Sequence, residues 1–367
     1  MLPDSSDIAE LSAEALHAVF MQRCLHLATL GAGNTAPNPL VGAVLVHERR
    51  IIGEGYHEKF GGPHAEVNSI RSVTEADQLL IPASTLYVSL EPCAHHGKTP
   101  PCADLIIQQK IPRVVIGCRD PFPQVDGKGI EKLSANKVEL VFPVLEKQAK
   151  ESNRRFFTFH QKKRPYIVLK WAESANHKMA GKPGERLPVS NDYSNRLVHK
   201  WRSEEAGILV GTQTALLDDP MLTARLWPGK NPVRIVPDRK LRLPDTLKIF
   251  DGLVPTIILN EQKETESGNL IYKKISGEKP GIPQILSALY SLNILSVLVE
   301  GGPELLQSFI VSGLWDEVRI ITNNQLEIPE GVASPVLQHA VLSKTESYFS
   351  DMVRYFMNDY EGNTNVH

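Results

Sequence analysis

Leu90-Glu91-Pro92-Cys93-Ala94-His95-His96-Gly97-Lys98-Thr99-Pro100-Pro101-Cys102, preceded upstream by His64-Ala65-Glu66, is the stretch on which the reading of this chain turns. One imidazole and two thiols offer three donors to a soft-to-borderline divalent ion. Zinc takes such donors tetrahedrally, and three protein ligands leave its fourth position for water, the arrangement of a catalytic site rather than a closed structural one. Held in this way, zinc lowers the pKa of its water from about 15.7 toward roughly 7. Glu66, close behind His64, is the natural group to take a proton from that water and deliver it to a leaving amine. Helix N-termini near His64 and after Cys102 favour charge on thiolate and hydroxide. The alternatives are a structural zinc site, two buried cysteines beside a surface histidine, or ligation by His95 or His96.

Outward from these residues, the first half alternates helix and strand patterns. Leu16, Phe20, Cys24 and Leu27 recur at helical spacing, with Gly31 where a C-cap would fall. Val41–Val46 and Ile51–Gly55 predict a hairpin, and His64 to Val73 a helix opening after Pro63. Leu86–Leu90, Arg113–Cys118 and Val138–Phe142 read as strands, separated by helices at Ala103–Gln109 and Ile130–Leu133. Residues 1–150 therefore form one α/β domain. Lys147, Lys150, Arg154, Arg155, Lys162, Lys163 and Arg164, interleaved with Phe156, Phe157 and Phe159, mark a basic linker at 151–165. A solvated connecting helix with an aromatic inner face explains that stretch better than a nucleic-acid site. Residues 166–367 restart the alternation, with strands at Tyr166–Trp171, Ile208–Val210, Val233–Val236, Thr256–Leu259, Ser296–Val299 and Glu317–Thr322. Helices are expected at Asn191–Arg202, Pro283–Leu292 and Pro303–Ser312.

A length of 367 residues suits two domains, and 42% hydrophobic residues supply two cores. Forty basic against forty-two acidic side chains give a net charge of -2. No whole-chain field therefore draws the protein to nucleic acid or to an anionic membrane. No apolar run reaches the ~18 residues of a membrane span. Met1 to Glu10 is acidic and lacks the features of a secretory signal. Four cysteines do not make a disulfide framework, so a cytoplasmic location is expected. Cys24 and Cys118 read as packing residues. Met1–Glu10 and the tail from Glu361 are expected to be disordered.

Two glycine motifs need separating. Gly31-Ala32-Gly33-Asn34-Thr35-Ala36 matches a dinucleotide fingerprint, but it follows a helix, and Pro37 blocks a new one, so it reads as a loop. Ser296–Glu300 followed by Gly301-Gly302-Pro303 and a helix is the better phosphate site, although a tight βα turn explains it equally well.

His-x-Glu with a later Pro-Cys and a third cysteine is the zinc deaminase signature. Nucleic-acid deaminases usually carry C-x-x-C, whereas eight residues separate Cys93 from Cys102. That longer segment closely resembles the deaminase half of the bifunctional riboflavin biosynthesis deaminase–reductases. So do Pro37-Asn38-Pro39 before Val41-Gly42, Gly55-Tyr56-His57, and Asp120-Pro121 with Gly127-x-Gly129. The resemblance extends along nearly the whole chain. It implies an α/β protein: a cytidine deaminase-like three-layer α/β/α domain, then a dihydrofolate reductase-like α/β domain.

The implied cofactors are Zn2+ and NADPH. The implied reactions are hydrolytic deamination of 2,5-diamino-6-(5-phosphoribosylamino)pyrimidin-4-one, then reduction of the ribosyl side chain to ribityl. By the same resemblance, His64, Cys93 and Cys102 hold the metal and Glu66 is catalytic. Asn38 and His57 hold the pyrimidine, while His95 and Lys98 approach the ribose phosphate. Taken alone, Asn38 also fits a turn between prolines, and Lys98 a solvated cation.

In the second half, Ile208-Leu209-Val210-Gly211-Thr212 and Asp218-Asp219-Pro220-Met221-Leu222-Thr223-Ala224-Arg225 support the match. Lys170, at the end of a strand, reads as the catalytic charge partner near the reacting sugar; the match implies Arg202, Leu222, Arg225 and Glu300 on substrate, where Arg186 also suits the phosphate. It places Ala172, Ser190, Thr214, Asp218, Gly302, Pro303, Glu304, Leu305 and Leu306 on NADPH. Arginines suit a ribose phosphate because each binds its oxygens in bidentate fashion.

The chain departs from the family at several points. Phe122 stands where asparagine is usual, Ser174-Ala175-Asn176-His177 replaces S-L-D-G, and Pro188-Val189-Ser190 replaces W-I-T. Arg186 stands in place of a serine. A deaminase with an inactive reductase-like domain is therefore the alternative. The resemblance also implies a small-molecule substrate and a homo-oligomer.

Overall fold

The computed structural model describes residues 11–95, 100–182, 187–275 and 281–359. Lys98, Arg186, Met1–Glu10 and the tail from Glu361 lie outside the described residues. The chain divides into two compact units, Met1–Lys162 and Lys163–His367.

In the first unit a five-stranded sheet runs in the order β2-β1-β3-β4-β5. Its strands are β1 (Gly42–His47), β2 (Arg50–Tyr56), β3 (Thr85–Leu90), β4 (Arg113–Cys118) and β5 (Glu139–Val141). The β1–β2 hairpin and the β1–β3 pair are antiparallel, and β3, β4 and β5 run parallel. Alternation along the strands sends side chains to two cores. Ala43, Leu45, Leu86, Val88, Val114 and Ile116 meet Ala65 of α2 (Ala65–Arg71), Ala103 and Ile106 of α3 (Cys102–Gln108), and Leu133 of α4 (Lys128–Ala135). Val44, Val46, Tyr87 and Val115 meet Phe20, Met21, Cys24 and Leu27 of α1 (Ala13–Thr29). The unit is thus a three-layer α/β/α sandwich. Ser12 caps α1 by accepting from the Ala15 amide. Gly31 lies beyond the Leu30 cap, and a Cβ there would meet the His57 carbonyl at 2.5 Å, so close approach explains this glycine. The dinucleotide-like stretch that it opens is a series of turns.

The basic stretch 151–165 is mostly helical. After α5 (Glu146–Ser152), Asn153 is buried and exchanges two hydrogen bonds with the Leu40 main chain. Phe156, Phe157 and Phe159 of α6 (Arg154–Lys162) are buried, Arg154 and Arg155 are half-buried, Lys162 and Lys163 are exposed, and Arg164 is buried against Asp316.

The second unit holds a ten-stranded sheet. Its middle strands, β12 (Leu270–Lys274), β10 (Thr256–Asn260), β9 (Val233–Pro237), β8 (Gly207–Leu209), β13 (Ser296–Val299), β6 (Tyr166–Ser174) and β14 (Glu317–Asn323), are all parallel. Helices cover both faces, as a parallel sheet requires. α9 (Ile282–Ser291) and α10 (Pro303–Ser312) pack on Leu169, Trp171, Ile235 and Val299. On the opposite face, α7 (Asp192–Glu204) packs on Tyr166 and Val168, and α8 (Thr212–Asp218) on Ile208 and Val236. An antiparallel hairpin, β16 (Ala340–Tyr348) and β17 (Asp351–Asn358), extends the sheet beyond β14, β11 (Thr265–Ser267) edges it antiparallel to β12, and β7 (Lys178–Ala180) pairs separately with β15 (Val332–Ala333). Among the described residues, no helix is long and apolar enough to cross a membrane.

Candidate functional site

Three short connections of the first unit converge. His64 occupies the N-cap of α2, Glu66 lies in that helix's first turn, and Cys102 opens α3. Cys93 follows β3, and its sulfur accepts from the Cys102 amide at 3.3 Å. His64 Nδ1 lies 3.7 Å from Cys93 Sγ and 3.3 Å from Cys102 Sγ. All three donor atoms fall within 4.8 Å of one another. A tetrahedral zinc with Zn–S of about 2.3 Å and Zn–N of about 2.0 Å has N···S edges near 3.6 Å. The donor set therefore fits zinc in both chemistry and spacing.

The thiols titrate as a pair. Cys102 donating to Cys93 brings Cys93 down to about 4, and the same bond together with burial pushes Cys102 well up. Burial raises the Glu66 carboxyl above its usual range, against the pull of the neighbouring His64. That shift suits a group that must gain and lose a proton near neutral pH.

His57 is buried with its ring 5.4 Å from that of His64. Its Nδ1 lies 2.9 Å from the Pro63 carbonyl, and Asn38 Nδ2 lies 3.1 Å from its Nε2. An Nδ1–H donor to Pro63 leaves Nε2 to accept from Asn38, so the Asn38 oxygen remains the free acceptor. Burial holds His57 below its ordinary value and hence neutral. His95 is half-buried, its Nδ1 has no partner, and its ring meets Phe122 edge-on. Phe122 also packs on His160, so the asparagine expected at this position is replaced by an aromatic cluster.

Glu91 is the residue that sequence reasoning passed over. Its buried carboxylate accepts from the amides of Asp120, Gly127, Gly129 and Ile130 at 2.9–3.3 Å. This ties the segment carrying Phe122 to the strand end that carries Cys93. Gly129 is required there, because a Cβ would lie 1.9 Å from the Pro92 carbonyl. A glutamate between an apolar strand and Pro-Cys was the available signal.

In the second unit, Lys170 and Ala172 project from β6 toward the α7 side. Glu300, just beyond β13, accepts from Arg202 Nε at 2.8 Å and Nη2 at 2.9 Å, and Lys170 Nζ lies 3.6 Å away. Burial alone would raise Glu300, but Arg202 and Lys170 outweigh it and bring the carboxyl down to about 2. Burial lowers Lys170 despite Glu300.

The segment 221–225 is held almost residue by residue. Arg234 Nε donates to the Met221 carbonyl at 3.0 Å, Arg202 Nη1 to that of Thr223 at 3.1 Å, and the Ala224 amide to Asn231 at 2.9 Å. Leu222 is buried with φ +52°, a left-handed backbone that is strained for a branched side chain. Arg225 at the end of this segment is exposed.

The cofactor candidates line the neighbouring strand ends. A Cβ on Gly302 would touch Thr214 Oγ1 at 3.6 Å, and one on Gly211 would touch Leu305 at 3.8 Å. Gly302 caps α10, with Pro303 and Glu304 in its first turn and Leu306 buried beneath. This open helix N-terminus fits a cofactor phosphate. Asp218 ends α8 and is exposed, while Ser190 precedes the α7 N-cap Asn191.

Comparisons with known proteins agree with this geometry. Residues 15–118 match the family model for the cytidine and deoxycytidylate deaminase zinc-binding region, and residues 165–324 that of the RibD C-terminal domain. Riboflavin biosynthesis protein RibD of Aquifex aeolicus is 40% identical over 304 residues, covering 82% of this chain and 84% of that one. The Escherichia coli RibD is 34% identical over 316 residues, covering 82% and 85%. The crystal structure of a diaminohydroxyphosphoribosylaminopyrimidine deaminase/5-amino-6-(5-phosphoribosylamino)uracil reductase from Thermotoga maritima superposes with a TM-score of 0.85. It is 36% identical and covers 95% of this chain and 100% of that one. The chain belongs to the RibD family of bifunctional riboflavin biosynthesis proteins, with a zinc-binding deaminase domain followed by a RibD reductase domain.

Proposed function

We propose that the first unit hydrolyses the 2-amino group of 2,5-diamino-6-(5-phosphoribosylamino)pyrimidin-4-one and releases ammonia. The second then reduces the product's ribosyl group to ribityl with NADPH. The observation that carries this reading is the convergence of His64, Cys93 and Cys102 beside the buried Glu66. Zinc bound there supplies a Lewis acid that makes water nucleophilic near neutral pH. Glu66 takes a proton at its carboxylate and returns it to the departing amine. Asn38, oriented by His57, accepts a pyrimidine N–H through its oxygen, and His95 and Lys98 receive the phosphate.

In the second unit, NADPH supplies the hydride when it is bound. Thr214, Asp218 and the Gly302–Leu306 turn hold it, with Ala172 and Ser190 alongside. Arg202 keeps one N–H on each terminal nitrogen after its bonds to Glu300 and Thr223. Those donors, with Arg225 and Arg186, are suited to the substrate's phosphate and ribose. Leu222 packs against the substrate, while Lys170 and Glu300 place a charge pair beside the reacting sugar. Catalysis here rests on placing nicotinamide and sugar carbon together.

A coupled assay tests both halves: ammonia release from the diaminopyrimidinone, then NADPH oxidation. Lys170→Ala should abolish NADPH oxidation and leave ammonia release, whereas Glu66→Ala should abolish ammonia release and leave NADPH oxidation only when 5-amino-6-(5-phosphoribosylamino)uracil is supplied directly. The second reading, an inactive reductase, is favoured by the departures at Asn176, His177 and Pro188, and ammonia release without NADPH oxidation would establish it. We further place the enzyme in the cytoplasm as a homo-oligomer acting on a small molecule, with no role for nucleic acid.

A further inference from the structure

Two buried polar atoms at the reductase site have no place in the scheme above. His199 is 2% exposed with no partner at Nδ1, and Thr223 is 7% exposed with none at Oγ1. His199 precedes Arg202 by three residues on α7, so the two side chains share a face of that helix. Arg202 in turn donates to the Thr223 carbonyl, which brings segment 221–225 against the same face. The imidazole lies within electrostatic reach of Arg202, Arg225 and Glu300, and against the Thr223 backbone. Burial, reinforced by the two arginines, brings it down to about 4 and keeps it neutral. A neutral imidazole has one acceptor nitrogen, and a threonine hydroxyl has one hydrogen to give. The imidazole already bonds to the Thr223 backbone, while its Nδ1 and the Thr223 hydroxyl, on adjacent elements, each lack a partner and form a complementary acceptor and donor that a movement of the segment would bring together. The strained backbone of Leu222 immediately before Thr223 stands where such a movement would hinge.

We propose that His199 and Thr223 form a latch for the reductase substrate. When the substrate's phosphate engages Arg202 and Arg225, the Thr223 hydroxyl donates to His199 Nδ1 and fixes the segment that carries Arg225. Both are positioning residues, acting through Arg225. The proposal rests on the substrate assignment made above.

The test is a double-mutant cycle on the full chain, following NADPH-dependent reduction of 5-amino-6-(5-phosphoribosylamino)uracil. Thr223→Val removes the hydroxyl at constant shape, and His199→Phe removes the acceptor. Each single variant should raise KM about fivefold, the loss of one hydrogen bond, with kcat changed less than about twofold. The double variant should be no worse than either single one. His199→Asn, whose amide oxygen stands where Nδ1 does, should recover most of the wild-type KM. Thr223→Val carries the test by itself if His199→Phe does not fold. An unchanged KM in Thr223→Val, additive effects in the double variant, or a loss confined to kcat overturns the latch alone. Absence of NADPH oxidation by the wild-type chain overturns the substrate assignment, and the latch with it.

Discussion

Replacing Glu91 by glutamine exchanges one heavy atom and should cost the first unit a large part of its stability. The carboxylate accepts four main-chain amides, Asp120 and Gly127 at one oxygen, Gly129 and Ile130 at the other. In Glu91→Gln one oxygen becomes an NH2 group, so two of these amides lose their acceptor and face a donor. A buried donor left unsatisfied costs about 1–3 kcal/mol, so the pair costs about 2–6 kcal/mol. Set against a typical total of roughly 5–15 kcal/mol, that is a severe loss for an isosteric change. Because Pro92-Cys93 follows directly, zinc retention should weaken as well. The assay is urea unfolding with two probes. All four tryptophans, Trp171, Trp201, Trp227 and Trp315, lie in the second unit, so their fluorescence reports that unit. Zinc release reports the first. The variant should move the zinc-release midpoint to lower urea and leave the tryptophan transition in place. A first-unit loss below about 1 kcal/mol would refute the reasoning, since it would mean the four amides find other partners.

Glu66→Gln should lower deamination by about 10²–10⁴-fold, with zinc content unchanged and with NADPH oxidation unchanged on directly supplied 5-amino-6-(5-phosphoribosylamino)uracil; metal analysis and separate assays of the two steps check it. Among the cysteines, chelation should open the half-buried Cys93 to alkylation and leave Cys24 and Cys118 unmodified. Both of the latter are buried, and burial pushes Cys118 up to about 12; mass spectrometry of peptides reads the outcome. Glu300 is brought down to about 2 in the folded chain against about 4.3 in an unfolded one. The folded state therefore binds fewer protons, and the contribution is complete above pH ~4.3 and lost as pH falls toward 2. In Glu300→Gln the second unit's acid sensitivity across that window should flatten, and reduction should fall by at least tenfold, because Arg202 and Lys170 lose their counter-charge. Acid titration of tryptophan fluorescence and the KM of the variant measure the two effects.

Most of both domains was legible in the sequence because their strands and helices carry strong periodicity. The Val41–Val46 and Ile51–Gly55 hairpin and the helix after Pro303 fall within a residue or two of β1, β2 and α10. The β16–β17 hairpin gave no such signal. β16 is an edge strand exposed along most of its length, with Lys344 and Glu346 on it, so it lacks the alternation that marks a half-buried strand. α8 escaped notice as well, since seven residues with one buried position are too short for a helical stripe.

The sequence by itself determined the chemistry of the first unit: a ligand set of one imidazole and two thiols, with a carboxyl in the turn after the histidine. Donor type is a property of the residues and needs no coordinates. Only the tertiary structure decided what those residues meet. It brought His64, Cys93 and Cys102 within 4.8 Å, turned the Asn38 oxygen free by giving its nitrogen to His57, and made Glu91 the anchor of a distant loop. It also joined Lys170, Arg202 and Glu300, which lie far apart in the chain, into one buried charge cluster. Long-range polar contacts of this kind depend on which strand ends lie side by side, and the parallel order of a sheet is not written in any local pattern.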